Sequence, residues 1–350
     1  MVPAHCLALE LAARGVPVHL VTDARGLRFP GLFEGVPRTV VAAASTGRSG
    51  LLSAPQVALS VWRGRGQAKA LYRQVKPRAV IGFGGYPSLP GLLGALALGL
   101  PSLIHEQNAV LGRTNRLLAP WVRAIATSYP AVARLAPSPK VHLVGNPVRP
   151  EVLAARGVPF DAAAPRLKLL VTGGSQGAAV LNTVVPAAVA LRPADVRARL
   201  DITHQGRDQD AEAMRSAYAA AGTPARIQAY FPDLPAEMAA SHIVVARSGA
   251  STVAELAVMG RPAILVPLPI ATDDHQFANA AGLAAAGGAV VMRQGEFTPE
   301  RLAQALTAWA TDPKALAAAA AGAQGAGRPD AASALADLVA DLVIATGTQP

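Results

Sequence analysis

The chain has 350 residues, of which 51% are hydrophobic and 15% are charged. This length fits two domains of ordinary size, and this composition excludes an intrinsically disordered chain. The single cysteine, Cys6, excludes an internal disulfide framework and a cysteine-based zinc site, which favours a reducing compartment.

The formal net charge of +10 is concentrated in the first half of the chain. Residues 1–150 carry 17 Lys and Arg against 4 Asp and Glu, whereas residues 151–350 carry 15 against 18. A basic half predicts an anionic partner, either nucleic acid or the anionic face of a membrane. The alternative is an arginine-rich surface that is simply solvated.

Neither a secretion signal nor a transmembrane segment is expected. The start, Met1–His5, has no charged leader or apolar core, which indicates a cytoplasmic protein. The longest apolar stretch, residues 79–104, is interrupted by glycines and prolines, among them Gly82, Gly84, Gly85, Pro87, Pro90 and Pro101, so it predicts strands, loops and a helix.

The chain opens with a predicted helix over 3–14, which is followed by a predicted strand over 16–21. A doubly wound α/β domain normally opens with a strand and a glycine loop before its first helix. We therefore expect that such a strand and loop lie upstream of Met1 and are missing from this sequence. A domain that simply begins with a helix is the alternative.

A short strand over 40–44 and a helix over 51–75 come next. The helix places Trp62 beside Arg63 and Lys69, a combination that suits contact with the headgroup layer of a membrane. Packing of the apolar residues into the domain core is the competing interpretation.

Two polar clusters then follow predicted strands. Gly-Gly-Tyr at 84–86 follows the first, and His-Glu-Gln-Asn at 105–108 follows the second. Because ligands bind at the carboxyl ends of strands in open α/β sheets, the two loops should converge on one crevice. His105 and Glu106 are candidates for general acid or base catalysis there. The alternative is that they are ordinary polar loop residues whose hydrogen bonds are satisfied within the protein.

Pro147 and Pro150, on either side of Arg149, stiffen the segment 145–150, which indicates a hinge between domains. After it the α/β pattern restarts. The predicted strand 167–172 leads into Gly-Gly-Ser-Gln-Gly at 173–177. This loop differs from both the GxGxxG fingerprint and the P-loop, so it indicates a phosphate or sugar loop of another kind. We expect domains over 1–147 and 148–328, with a helix over 329–350 packing back on the first.

Two further clusters lie in the second half. The stretch 247–255 follows a buried strand and re-enters a helix, which leaves backbone N–H groups for a phosphate and places Glu255 to bind a ribose. In Asp-Asp-His-Gln at 273–276, Asp273 and Asp274 are either helix caps or ligands, while His275 and Gln276 suggest ligand contacts.

The six motifs, at 84–86, 105–108, 145–149, 173–177, 247–255 and 273–276, resemble in order those of the MurG family of N-acetylglucosaminyltransferases. The resemblance implies an α/β glycosyltransferase-B fold, in which two Rossmann-like domains are separated by a cleft. It implies inverting transfer from UDP-N-acetylglucosamine, bound by the C-terminal domain, to lipid I, an undecaprenyl-linked muramyl-pentapeptide, bound by the N-terminal one. It also implies a peripheral enzyme on the cytoplasmic face of the inner membrane, with no metal, cofactor or nucleic acid.

Residue roles follow from the same resemblance. The substrate-binding set it implies is Asn108, Arg149, Ser175, Gln176, Phe231, Pro232, Ser248, Gly249, Ala250, Ser251, Thr252, Glu255, His275 and Gln276. Family members usually carry a branched residue at the position of Pro232, which has no N–H to donate to uracil. The family's usual candidate base is a His in a loop of the form Gly-Gly-Thr-Gly-Gly-His, which is absent here and leaves His105 or Glu106 as substitutes. The alternatives are another lipid-directed glycosyltransferase and a non-catalytic UDP-sugar-binding protein.

Overall fold

The computed structural model describes residues 1–26, 31–43, 54–174, 178–345 and 347. Its internal contacts divide the chain into two units. Unit 1 combines Met1–Arg149 with Asp330–Pro350, and unit 2 is Pro150–Pro329. Among the described residues, no helix is both long enough and apolar enough to cross a bilayer.

Helices and parallel strands alternate along most of the described chain. The helices are α1 (Val2–Ala13), α2 (Ala54–Val75), α3 (Ser88–Leu96), α4 (Arg113–Leu118), α5 (Pro150–Ala155), α6 (Ala179–Ala190), α7 (Ala194–Ala198), α8 (Asp208–Ala220), α9 (Leu234–Ala240), α10 (Ala250–Met259), α11 (His275–Ala285), α12 (Pro299–Thr311), α13 (Pro313–Gly325) and α14 (Ala331–Ile344). The strands are β1 (Leu20–Thr22), β2 (Arg38–Val40), β3 (Val80–Gly82), β4 (Ser102–Glu106), β5 (Ala124–Thr127), β6 (Val141–Leu143), β7 (Leu167–Thr172), β8 (Leu200–Gln205), β9 (Ala225–Gln228), β10 (Ile243–Ala246), β11 (Ala263–Leu265) and β12 (Ala289–Val291).

Unit 2 is built on a six-stranded parallel sheet in the order β12-β11-β10-β7-β8-β9. The chain winds outward from β7 in one direction and from β10 in the other, so the order reverses between these two central strands. Ligands in doubly wound sheets bind outside the carboxyl ends of the strands at such a reversal. A binding site is therefore expected at the residues that follow β7, β10 and β11.

Unit 1 contains a four-stranded parallel sheet, β3-β4-β5-β6, and a separate parallel pair, β1-β2. Both β4 and β5 are buried along their whole length. A strand that is buried on both faces is covered on each side, so the polar residues of β4, Ser102, His105 and Glu106, are buried together with its apolar ones. The parallel α/β class expected from the sequence is confirmed in both units.

Helix α14 packs in unit 1, against α1. Leu7 and Leu11 of α1 share one hydrophobic cluster with Leu335 of α14. At the surface, Arg14 forms ion pairs with both Glu10 and Asp337. The two ends of the described chain are thus joined by apolar packing and by a charged contact.

Two helices of unit 2 begin at side chains that cap their first backbone N–H groups. The Thr298 hydroxyl accepts a hydrogen bond from the Arg301 N–H at the start of α12, and Asp312 accepts two at the start of α13. Each cap is followed by a proline, whose missing N–H costs nothing at a first helical position.

Two strands overlap their predicted ranges but start at other residues, β1 four residues later and β2 two residues earlier. Gly15 adopts φ +72° and the Val16 N–H bonds back to the Leu11 carbonyl, so residues after α1 form its closing turn and β1 begins only at Leu20. Strand β2 starts two residues before the predicted 40–44, overlaps it at Val40 and pairs in parallel with β1. Residues 44–53, which include the predicted start of the second helix, lie outside the described part of the chain.

Candidate active site

The polar cluster at the end of β4 is organised around the Glu106 carboxylate, which is only 2% exposed. Its Oε1 accepts hydrogen bonds from the backbone N–H and the side-chain amide of Asn108, at 3.0 and 3.1 Å. Its Oε2 accepts from the Gly112 N–H and from the Asn115 amide, both at 2.9 Å. A carboxylate offers about four lone-pair sites, and all of them are used here.

His105 is fully buried, and both of its ring nitrogens are engaged. Nε2 lies 2.9 Å from the Gly145 carbonyl, which can only accept, so Nε2 carries the hydrogen. Nδ1 then accepts from the Gln107 amide at 2.8 Å. Burial lowers the pKa of His105 to about 4, which keeps the ring neutral near pH 7. The ring therefore ties the end of β4 to the segment 145–149.

The glycine pair after β3 lies against this cluster. Gly84 and Gly85 both have positive φ, +73° and +70°, a conformation that favours glycine. A Cβ on Gly84 would stand 3.2 Å from the Asn115 amide nitrogen. The loops after β3 and β4 therefore meet at Asn115, a residue that the sequence reasoning did not single out.

In unit 2, the turn between β10 and α10 presents backbone donors. Gly249 caps α10 without any side-chain hydrogen bond, so the first-turn N–H groups at 250–252 carry the positive end of the helix dipole. Ser248 is fully buried, and its hydroxyl has no partner among the described residues. The Asn279 amide holds the Ser248 carbonyl at 3.3 Å. Glu255 follows on the same helix and is 6% exposed.

The segment after β11 places two more candidates beside that turn. The Gln276 Oε1 accepts from the Leu268 N–H at 3.0 Å, which leaves the amide N–H₂ as the outward donor. His275 Nδ1 lies 2.7 Å from the Thr272 carbonyl, so Nδ1 is the donor and Nε2 is left as the acceptor. Asp274 occupies the cap position of α11 but makes no side-chain cap bond.

Arg247 links these strand ends, although the sequence reasoning gave it no role. Its Nη1 donates to the Val266 and Pro267 carbonyls at 3.1 and 3.2 Å, and its Nη2 donates to Gln294 Oε1 at 2.7 Å. The sequence signal for Arg247 was its position directly after a buried strand. Its partners are distant in the sequence and become neighbours only through the sheet order.

The remaining candidates of unit 2 follow β7 and β9 in the sequence. Ser175 and Gln176 lie outside the described residues, but the loop start is held by the Gly174 N–H, which donates to Thr172 Oγ1 at 3.2 Å. After β9, Phe231 is buried with the Arg226 guanidinium 5.0 Å from its ring centroid, whereas Pro232 is exposed.

Arg149 is the last residue of the first stretch of unit 1.

No cluster of three or more His, Cys, Asp or Glu side chains within the described ranges is placed to hold a metal ion.

Comparison with known proteins identifies two matching domains. Residues 1–127 match the glycosyltransferase family 28 N-terminal domain, and residues 168–335 match the glycosyltransferase family 28 C-terminal domain. These two regions include all of the motifs except the segment 145–149.

Several bacterial relatives carry the name UDP-N-acetylglucosamine–N-acetylmuramyl-(pentapeptide) pyrophosphoryl-undecaprenol N-acetylglucosamine transferase. The protein from Novosphingobium aromaticivorans is 51% identical, with 97% of this chain and 88% of the relative covered. The protein from Rhodospirillum centenum is also 51% identical, with 96% and 90% covered.

Among solved structures, the crystal structure of Acinetobacter baumannii MurG is 31% identical, with a TM-score of 0.77 over 97% of this chain and 95% of that one. This similarity confirms the two-domain glycosyltransferase-B fold. The chain is about half identical to these relatives over nearly its whole length, and it shares the fold of a solved relative. It therefore belongs to glycosyltransferase family 28 and, within that family, to the MurG family.

Proposed function

We propose that this protein transfers N-acetylglucosamine from UDP-N-acetylglucosamine to lipid I, giving lipid II in peptidoglycan synthesis. The observation that carries this proposal is the 51% identity, over 97% of the chain, to a relative named for that transfer. The strand ends of unit 2 support it, because they offer a helix N-terminus, a buried carboxylate and an outward amide on neighbouring strands.

Unit 2 is the proposed donor site. The N–H groups at 250–252 and the dipole of α10 suit a diphosphate, together with Ser248 and Gly249. Arg149, which belongs to unit 1, is a further diphosphate contact that the family resemblance implies. Glu255 would accept hydrogen bonds from the ribose hydroxyls. Gln276 and His275 would contact the sugar, Ser175 and Gln176 the phosphate side, and Phe231 and Pro232 the uracil.

Unit 1 is the proposed acceptor site, with Asn108 presented to the acceptor. In an inverting transfer, the acceptor 4-hydroxyl oxygen bonds to the anomeric carbon, its proton passes to a base, and UDP departs with the electrons of the broken bond. Charge on the departing UDP would be stabilised by the α10 N-terminus and Arg149. The occupied lone pairs of the Glu106 carboxylate favour positioning of Asn108 over proton transfer. Both ring nitrogens of His105 are also occupied, by Gly145 and Gln107, which disfavours a role as the base.

Release of UDP tests the proposal. With a short-chain lipid I analogue, we expect UDP release that depends on the acceptor, measured with a coupled assay. Transfer to diacylglycerol in place of lipid I would favour the other lipid-directed transferase. Binding of UDP-N-acetylglucosamine without turnover on any acceptor would favour a binding protein.

An anionic membrane surface is the proposed partner of unit 1. Trp62 on α2 is 67% exposed and Trp121 after α4 is 70% exposed, so neither belongs to the core. Val61, next to Trp62 in the sequence, packs against the hydrophobic cluster that contains Val122, next to Trp121. Trp62 also lines a depression of about 450 Å³ with cationic side chains, namely Arg63, Arg65 and Lys69. Exposed aromatics beside cations suit a headgroup layer of anionic lipid, which corresponds to peripheral binding at the cytoplasmic membrane face.

Vesicle sedimentation tests this surface. The double variant Trp62→Ala, Arg63→Ala should bind vesicles containing anionic lipid about tenfold more weakly than the unchanged protein, since it loses one interfacial aromatic and one cation. The matched control, Tyr230→Ala with Arg215→Ala, removes an exposed aromatic and an exposed cation from unit 2 and should bind normally. Equal binding by all three proteins would reject the proposed surface.

A further inference from the structure

Arg293 contacts both sides of the pair His275–Gln276. It lies shortly after β12, and its Nη2 donates to Asp274 Oδ2 at 2.8 Å. Its guanidinium carbon stands 3.7 Å from the centroid of the Phe277 ring, within the range of a cation–π contact. One side chain therefore binds the residue before the pair and the residue after it.

The turn that Arg293 contacts has an unfavourable backbone. Asp273 and Asp274 have φ values of +57° and +52°, two consecutive residues in the left-handed region. Residues other than glycine visit this region mostly one at a time, and such conformations persist where surrounding contacts impose them. Asp274 makes no side-chain cap bond to α11, and its carboxylate is directed to Arg293 instead.

The neighbouring residue extends the same connection. Gln294 accepts from Arg247, which in turn donates to the carbonyls of Val266 and Pro267. The segment after β12 therefore bonds to residues that follow both β10 and β11. Because these three strands are adjacent in the sheet, the segment fixes the two neighbouring strand ends that carry the proposed donor contacts.

We propose that Arg293 is a positioning residue for the donor sugar, holding the Asp273–Asp274 turn so that His275 and Gln276 face the N-acetylglucosamine group. The inference rests on the proposed function. An ion pair whose side chains are 49% and 46% exposed is weak alone. Here the ion pair acts together with the stacking of Arg293 on Phe277. Both contacts hold a turn whose backbone would otherwise favour other conformations. Since the diphosphate is assigned to the α10 N-terminus, one strand away, Arg293 should matter for the sugar and little for UDP.

Calorimetric titration with UDP and with UDP-N-acetylglucosamine tests the inference. For Arg293→Ala, the Kd for UDP-N-acetylglucosamine should rise by about five- to tenfold, the scale of one lost cation–π contact and ion pair, while the Kd for UDP stays unchanged. Arg301→Ala is the matched control, because it removes an ion pair to Glu296 of similar length and exposure in the same unit. Both of its Kd values should stay unchanged.

A rescue variant separates positioning from a general structural role. Glycine adopts positive φ without strain, so adding Asp274→Gly to Arg293→Ala should return the Kd for UDP-N-acetylglucosamine to within about threefold of the unchanged protein. Equal weakening of UDP and UDP-N-acetylglucosamine binding, no weakening at all, or no rescue would each overturn the inference. If the unchanged protein binds neither ligand, the proposed function fails first and the inference falls with it.

Discussion

Replacing Glu106 with alanine should lower the free energy of unfolding by about 3 kcal/mol and reduce turnover at least tenfold. The change removes the acceptor of four hydrogen bonds, from Asn108, Gly112 and Asn115. A buried donor left without a partner costs about 1–3 kcal/mol, and the half-buried Asn108 and Gly112 groups recover part of that from water. Turnover falls because Asn108 loses both of its hydrogen bonds to Glu106, one from its backbone N–H and one from its side-chain amide.

Chemical unfolding followed by circular dichroism, together with the UDP-release assay, measures both effects. Glu296→Ala is the control, since its carboxylate is half exposed, and it should change stability by less than about 0.5 kcal/mol. Glu106→Gln distinguishes the two possible roles of this residue. Its amide N–H₂ would face two donors, so a positioning role predicts that stability and turnover fall together. Loss of turnover with unchanged stability would instead make Glu106 the base.

Replacing Glu255 with alanine should raise the Kd for both UDP and UDP-N-acetylglucosamine about 100-fold. A carboxylate that accepts from ribose hydroxyls contributes about 1.5–3 kcal/mol per charge-assisted bond, and the loss of roughly 3 kcal/mol corresponds to about 100-fold in Kd. Glu255 is nearly buried on α10, so little water reaches the site to replace it.

A matched ligand isolates the ribose contact. In titrations with 2′,3′-dideoxy-UDP, the unchanged protein and Glu255→Ala should bind about equally weakly, because the hydroxyl partners are already gone. Glu212→Ala, an 85% exposed carboxylate on α8, should bind UDP normally. If Glu255→Ala weakens the dideoxy ligand as much as it weakens UDP, Glu255 supports the fold of α10 and does not bind the ribose.

The sequence predicted the parts of the fold that depend on local patterns. The apolar run of β10 followed by Arg-Ser-Gly gave both a buried strand and the start of α10, since each is determined by a few adjacent residues. The glycine pair at 84–85 marked a turn because its positive φ values favour glycine. The position of β1 was missed because Gly15 and Val16 close the preceding helix and shift the strand start to Leu20.

The connections that define the candidate site could not be read from the sequence. Arg293 follows β12 while its partner Asp274 precedes α11, and only the folded loops bring them together. His105 suggested acid or base chemistry by residue type, yet its complete burial and its bond to Gly145 depend on how the segments around β4 pack. The cap role considered for Asp274 depended on backbone angles that the local pattern does not reveal.

The place of α14 also fixes an order of events during synthesis. Unit 2 is one uninterrupted stretch, Pro150–Pro329, while unit 1 takes α1 from before it and α14 from after it. The ribosome therefore completes all of unit 2 before it makes Leu335, which packs in one cluster with Leu7 and Leu11. The part of α1 that packs against α14 therefore has no partner helix until the whole second unit has been translated, so the first unit to be started is the last to be finished.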